Sequence, residues 1–152
     1  MLKVSYTNKN HFWNIMGYTI TNRINVLIKK TYYHHERFQV DSTFALLYHE
    51  NPLSVVEFSQ YVRISDHLIQ VDDHHYFVIF AFTSHDNAYK AAQNIIHKLD
   101  NHFNATTSCI ALDTFNATKS AQSVLNRLEQ ILLETRKNPF VRIETEDILD
   151  RK

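Results

Sequence analysis

The residues best suited to bind a ligand lie in the segment from Val62 to Phe82, VRISDHLIQVDDHHYFVIFAF. Arg63 and Asp66 stand three positions apart, just before the first of two strand-like runs. A guanidinium offers a planar fork to phosphate or to the O6/N7 edge of guanine, and a carboxylate can accept from guanine N–H groups. The pair therefore predicts a binding site for such a ligand. The structural alternative is a local ion pair, worth ~0.5 kcal/mol if it is exposed.

The bend between the two strand-like runs carries Asp72, Asp73, His74 and His75. Loops that cradle phosphates usually contain glycine, because a backbone without Cβ atoms can approach a ligand closely. Gly17 is the only glycine among 152 residues. We therefore expect no glycine-rich nucleotide-processing loop at this bend.

Histidine is abundant, with ten residues, and His34 with His35 and His74 with His75 form adjacent pairs. Neighbouring side chains of a strand point to opposite faces, and no His-x-x-x-His spacing places two rings on one helix face. A transition-metal site needs three or four converging ligands. We therefore expect no metal and no cofactor, and surface histidines that gain charge below about pH 6.5.

Composition and charge narrow the class of protein. Hydrophobic residues make up 44% of the chain, and sixteen basic residues balance sixteen acidic ones. We therefore expect no nucleic-acid partner and no membrane partner. The sequence also shows no apolar run near the ~20 residues that span a bilayer, and we expect no signal peptide. The lone Cys109 suits a buried thiol in a reducing compartment. We expect one cytoplasmic domain, residues 1–152, with an N-terminal helical segment (1–40) and a core (41–152).

Hydrophobic spacing predicts the secondary structure. Ser84 or Asp86, and Thr118 or Ser120, are the candidate caps of the two clearest helices. The expected helices cover residues 20–36, 52–62, 84–103 and 118–137, the strands 44–49, 67–71, 76–82, 106–112 and 140–143, and a last helical turn 145–149. The adjacent strands form an antiparallel hairpin, and the others, joined through helices, can lie in either direction. The predicted fold is α+β, a mixed β-sheet flanked by helices, of palm or ferredoxin-like type.

Several of these segments resemble GGDEF (diguanylate cyclase) domains. Asn22-Arg23 resembles the Asn-Arg that opens such domains, and Phe44–Glu50 (FALLYHE) resembles their first strand, which ends in a metal-binding acid. Val62–Asp66 (VRISD) is similar to the Leu-Arg-x-x-Asp before the signature hairpin, and Asp73–Phe80 (DHHYFVIF) stands where the signature and its strand would be. The connection between these two motifs is one residue longer than usual. The resemblance covers nearly the whole chain in layout and implies a nucleotidyl-cyclase-type fold in bacterial signalling.

The signature itself departs from the family pattern. In place of Gly-Gly-Asp-Glu-Phe, the five positions hold Asp73, His74, His75, Tyr76 and Phe77. The family's glycines admit the nucleotide, and its acids hold metal and stabilise the attacking oxygen. Here side chains fill that space, and His75 and Tyr76 stand in place of the acid pair. Glu50 would then be a single acidic ligand, which is not enough for a two-metal site. The family's helical insertion after the first strand is also shortened. We expect no catalysis, and therefore no enzyme.

The resemblance also suggests a ligand for Arg63 and Asp66. In active relatives, an Arg-x-x-Asp at this place forms the inhibitory site that binds cyclic di-GMP, and several degenerate relatives bind it through this site alone. We therefore expect an inactive regulatory domain that binds cyclic di-GMP through Arg63 and Asp66. The family's supporting basic residue on the next helix has no clear counterpart, and Lys90, His97 or Lys98 could replace it.

A protein-interaction scaffold is the alternative function. An aromatic group near the N-terminus suits either core packing or a surface for a homodimer or another protein partner. It comprises Phe12, Trp13, Tyr18, Tyr32 and Tyr33. This alternative predicts a stable oligomer or complex and indifference to every nucleotide offered.

Overall fold

The computed structural model describes residues 18–114 and 120–150. Within these ranges the chain forms four α-helices and five strands. The helices are α1 (Tyr18–Phe38), α2 (Val55–Phe58), α3 (His85–Phe103) and α4 (Ala121–Arg136). The strands are β1 (Thr43–Tyr48), β2 (His67–Gln70), β3 (His75–Phe80), β4 (Cys109–Thr114) and β5 (Ile143–Glu144). Short 3₁₀ helices cover Ser59–Tyr61 and Glu146–Asp150.

The five strands form one mixed sheet in the order β2-β3-β1-β4-β5. All neighbouring strands are antiparallel except β4 and β5, which are parallel. At the centre of the sheet, Leu46 of β1 faces Phe77 of β3 on one side and Ala111 of β4 on the other. The predicted α+β class with a mixed, helix-flanked sheet is confirmed.

Helices cover both faces of the sheet, so both faces of the central strand, β1, carry apolar side chains. Phe44 and Leu46 of β1 share one core cluster with residues of α1 and α4. Ala45 and Leu47 point the other way, into a cluster with Phe58 of α2 and residues of α3. Successive side chains of a strand lie on opposite faces, and both faces are buried here, which explains why the apolar run FALLY is continuous.

Serine side chains cap the N-termini of α3 and α4. The Ser84 hydroxyl accepts from the N–H of Asn87 and caps α3, and Ser120 caps α4 in the same way. A serine at this position satisfies a backbone donor that the helix itself cannot. Asn104 ends α3 in the left-handed conformation, at φ 52°. Of the predicted alternatives, Thr118 lies outside the described residues.

The structure corrects two predicted elements. The helix expected over residues 52–62 is shorter, with one α-helical turn (α2) followed by the 3₁₀ helix Ser59–Tyr61, because Ser54 is the N-cap of α2 and the chain is extended at Val62 (φ −116°, ψ 162°). The last strand begins at Ile143, later than expected, and Phe140 is 91% exposed. In both cases, apolar residues at suitable spacing suggested an element that the tertiary packing did not require.

Other predictions concern single residues. Cys109 is buried, as expected, and burial raises the pKa of its thiol to about 11. Phe12, Trp13 and Gly17 lie outside the described residues, as does the side chain of Tyr18. Among the helices of the described ranges, none is long and apolar enough to cross a membrane.

Candidate functional site

Asp66 lies at the open end of the β2–β3 hairpin, immediately before β2. Its side chain is 1% exposed. The carboxylate accepts from the Arg63 N–H at 3.0 Å and from the N–H of Ala81, just after β3, at 3.3 Å. Asp66 thus connects the segment before the hairpin to the segment after it.

Arg63 packs its guanidinium against the same corner. Its Nε donates to Asp66 Oδ2 at 3.2 Å and its Nη2 donates to Asp66 Oδ1 at 2.7 Å. Nη2 also donates to the carbonyl of Ala81 at 3.0 Å and to the Thr83 hydroxyl. The hydrogen bonds and the charge of Asp66 raise the pKa of Arg63 above its already high ordinary value. We call Arg63, Asp66, Ala81 and Thr83 the arginine corner.

The arginine corner places a fixed cation at the surface. The Arg63 side chain remains 53% exposed although one edge of its guanidinium is held by four acceptors in all. A planar, oriented guanidinium suits a phosphate oxygen or a guanine edge, and it loses little entropy on binding because it is already ordered. The structure therefore brings the two predicted site residues together. It gives Asp66 the role of holding Arg63, since both carboxylate oxygens already have protein donors.

The three candidates for a supporting cation lie on α3. Lys90, His97 and Lys98 are all exposed. His97 lines a groove shared with Phe140 and Ile143 at the β5 edge. The sheet order places β2 and β5 at opposite edges, so His97 is remote from the arginine corner.

The bend end of the hairpin has a different organisation. Asp72 accepts from the N–H of His74 at 2.8 Å, and its carboxylate lies 2.9 Å from Nδ1 of His75. The ring of His74 lies 3.2 Å from the carbonyl of His49, and the His49 N–H donates to the His74 carbonyl at 2.9 Å. These side-chain and backbone contacts close the bend without glycine. Burial is the main cause that lowers the pKa of His75, and the Asp72 hydrogen bond opposes it.

The last two signature positions belong to the core. Tyr76 and Phe77 are each 0% exposed. The Tyr76 hydroxyl donates to the carbonyl of Leu53 and accepts from the Leu53 N–H, the latter at 3.0 Å. The position that would carry a catalytic acid thus anchors the connection between β1 and α2.

A cleft of about 330 Å³ lies near the bend, where β1 ends and β4 begins. Glu50 and Arg136 line it, and the Arg136 guanidinium stacks 3.7 Å from the centroid of the Tyr48 ring. Across residues 18–114 and 120–150, no three His, Cys, Asp or Glu side chains lie where they could hold a metal ion. Glu50 is therefore not part of a metal cluster within those ranges.

A small cavity of about 40 Å³ lies behind the bend and is lined by Glu129, His75 and Arg136 together with three leucines. Burial raises the pKa of Glu129 to about 7. A neutral carboxyl is favoured there because desolvation penalises only the charged form.

Sequence reasoning missed the acceptors that complete the arginine corner. Ala81 and Thr83 are 18 and 20 residues from Arg63. Their contact follows from the hairpin register, in which His67 pairs with Ile79, so that the residues before β2 meet those after β3. A fixed register could have suggested this contact, but neither residue type signals it.

Comparison with known proteins supports the fold. No protein-family model matches the chain, and no curated protein matches it by sequence. The structure is similar to the GGDEF domain of DgcB from Caulobacter crescentus, which was crystallised in complex with c-di-GMP. The TM-score is 0.63 at 10% sequence identity, over 83% of this chain and 87% of that one. The chain thus has a GGDEF-like fold, as its sequence resemblance predicted.

Proposed function

We propose that this chain is a catalytically inactive GGDEF-like regulatory domain that binds cyclic di-GMP through Arg63 and Asp66. The observation that carries the proposal is the arginine corner, where a buried carboxylate orients a half-exposed guanidinium. Arg63 makes the direct contacts with phosphate or a guanine edge, and Asp66 fixes its direction. The c-di-GMP complex of the structurally similar domain supports this choice of ligand.

The loss of catalysis rests on the bend. Cyclisation of a nucleotide needs metal ions that bridge phosphates and charge stabilisation for the attacking oxygen. The signature positions instead hold Asp73, two histidines and the core residues Tyr76 and Phe77. We therefore expect no cyclic di-GMP from GTP with Mg²⁺ or Mn²⁺. Detectable product in a chromatographic assay would contradict this part of the proposal.

Binding is tested by calorimetric titration and thermal unfolding with cyclic di-GMP. We expect wild type to bind and to gain ~2.7 kcal/mol of stability at 100 times Kd. Arg63→Ala should weaken binding by roughly 10- to 100-fold, the value of a charge-assisted hydrogen bond or two. No binding by wild type at millimolar ligand would overturn the proposal.

Arg136→Ala is the matched control. It removes an arginine at the bend end of the molecule, where the guanidinium stacks on Tyr48 and lines the cleft. Binding through the arginine corner should be unchanged in this variant. Loss of binding in Arg136→Ala, with Arg63→Ala unaffected, would move the ligand to the cleft.

The cytoplasmic location is part of the same proposal, because cyclic di-GMP is expected there and Cys109 is a free thiol. The alternative function, a scaffold that binds no nucleotide, also has one supporting observation. Tyr33 and Phe38 on α1 are exposed large hydrophobic residues, a feature of surfaces that contact other proteins. Concentration-dependent self-association in analytical ultracentrifugation, together with no response to nucleotides, would favour it.

A further inference from the structure

Phe82 combines backbone strain with exposure. Its φ is 54°, in the left-handed region, and the residue is 57% exposed. A bulky non-glycine residue at positive φ is an outlier, because its Cβ crowds the neighbouring carbonyl. The exposed ring gains little from burial to offset that strain. Strained residues of this kind cluster at ligand sites.

Phe82 lies between Ala81 and Thr83, two residues of the arginine corner. Arg63 Nη2 donates to the carbonyl of Ala81, the residue before Phe82, and to the hydroxyl of Thr83, the residue after it. The Phe82 N–H donates to Ser42 Oγ at 3.2 Å, which fixes the turn from the other side. The strained peptide and the exposed guanidinium are therefore immediate neighbours.

The Phe82 ring also continues an aromatic surface. Its centroid lies 6.1 Å from that of His34 on α1, with an interplanar angle of 39°. His34 lies the same distance from Phe38. The ring is thus supported along one side while more than half of the residue remains open to solvent.

We propose that Phe82 is a stacking surface for a purine base of the ligand that Arg63 holds. This inference rests on the proposed function and adds a specificity-determining residue to it. An aromatic face stacks on any nucleobase, and an adjacent guanidinium can bind the base edge or the phosphate. An aromatic ring and an oriented cation at one corner suit a purine nucleotide better than a purely apolar partner. The strain is retained because the left-handed backbone keeps the ring at the surface.

Phe82→Gly separates the strain from the ring. Glycine adopts positive φ without a steric cost, so the unliganded variant should unfold at a higher temperature than wild type. The same variant should bind cyclic di-GMP roughly 5- to 100-fold more weakly, the range expected for one stacked base. Phe82→Trp, which keeps an aromatic face, should retain the affinity within about threefold.

Gln39→Gly is the matched control. Gln39 has φ 56° at the end of α1, so its replacement relieves a similar strain without removing a ring. Its melting temperature should rise, and its affinity for cyclic di-GMP should equal that of wild type. Ribose 5-phosphate, which lacks a base, should bind wild type and Phe82→Gly with equal affinity.

The outcomes distinguish this inference from the proposed function. If wild type binds cyclic di-GMP in an Arg63-dependent manner and Phe82→Gly binds equally well, the stacking role is wrong and the function stands. If wild type does not bind, both are wrong. Self-association of wild type that disappears in Phe82→Gly, with unchanged nucleotide affinity, would overturn stacking in favour of a protein contact.

Discussion

The two ends of the β2–β3 hairpin use charged residues in different ways. They lie roughly 20 Å apart, since the six residues of β3 rise ~3.3 Å each. At the bend, Asp72 binds the N–H of His74 and the ring of His75, and the ring of His74 contacts the carbonyl of His49, so these polar groups have partners within the protein. At the open end, the buried Asp66 holds Arg63 so that half of the arginine stays exposed. An aspartate with histidines closes the bend, whereas an aspartate with an arginine holds a cation at the surface of the open end.

The two aspartates, Asp72 and Asp66, differ in how deeply the carboxylate is buried. An exposed aspartate such as Asp72 can exchange its partners for water at little cost, whereas the almost fully buried Asp66 cannot. The arginine corner is therefore the more rigid end of the hairpin. Rigidity without full burial of the cation is what a pre-organised anion site requires.

The largest expected effect is the loss of Asp66. Asp66→Ala should lower the free energy of unfolding by about 2–4 kcal/mol, because it leaves the donors of Arg63 and Ala81 without their acceptor. Urea unfolding measures this change. Lys137→Ala, which removes a surface ion pair with Glu134 at 2.9 Å, should cost less than about 1 kcal/mol. Equal losses in the two variants would show that burial of the Asp66 carboxylate adds nothing to the value of an exposed ion pair.

Tyr76→Phe tests the core position near the bend. It deletes the hydroxyl that both donates to and accepts from Leu53. A buried N–H and a buried carbonyl would then lack a partner, and we expect a loss of about 1–2 kcal/mol. Chemical denaturation reports the loss, and ligand affinity at the arginine corner should not change. A weakened affinity for cyclic di-GMP would show that the two ends are coupled.

Glu129→Gln sharpens the description of the bend through pH. The folded pKa of Glu129 is raised to about 7, whereas an unfolded glutamate titrates near ~4.3. The unfolded chain therefore loses this proton first, and the carboxyl reduces stability progressively as the pH rises from ~4.3 to about 7. Below that window the effect is absent, and above it the effect is constant.

The variant should match wild type near pH 4 and exceed it above pH 7 by about 1 kcal/mol, after allowance for partial solvent screening. At that size the melting temperature differs by roughly 2–4 °C. Melting curves of both proteins across this pH range provide the measurement. A difference that does not change with pH would contradict burial of an ionisable group beside His75.

The smallest expected effect is Asp72→Ala. The Asp72 side chain is 43% exposed, so its removal should cost about 0.5 kcal/mol. The variant should also lower the pKa of His75, because the Asp72 hydrogen bond and charge both raise it. Titration of His75 by nuclear magnetic resonance measures this shift. An upward shift would show that Asp72 does not bind His75 in solution.

Elements with long apolar stripes were predictable from the sequence. The spacing of Ala88, Ala92, Ile95 and Leu99 fixes α3, and all four are buried. The short elements were not, because a few apolar residues suit several conformations. Phe140 was predicted to begin the last strand, yet it is 91% exposed and β5 begins only at Ile143.

The candidate site was predictable only in part. Arg63 and Asp66 could be predicted because residues three positions apart stay close in space in any fold. The burial of Asp66 and its contact with Ala81 depend on hairpin register. The left-handed conformation of Phe82 could not be foreseen either, since that region normally selects glycine, asparagine or aspartate.

The buried Cys109 has a practical consequence for studies in solution. It is the sole cysteine of the chain, and burial with a thiol pKa of about 11 leaves almost no reactive thiolate at neutral pH. A cysteine introduced at the exposed Ile64, beside the arginine corner, would therefore be the preferred target of a maleimide dye. The wild-type chain already provides the background against which a single fluorophore could report ligand arrival.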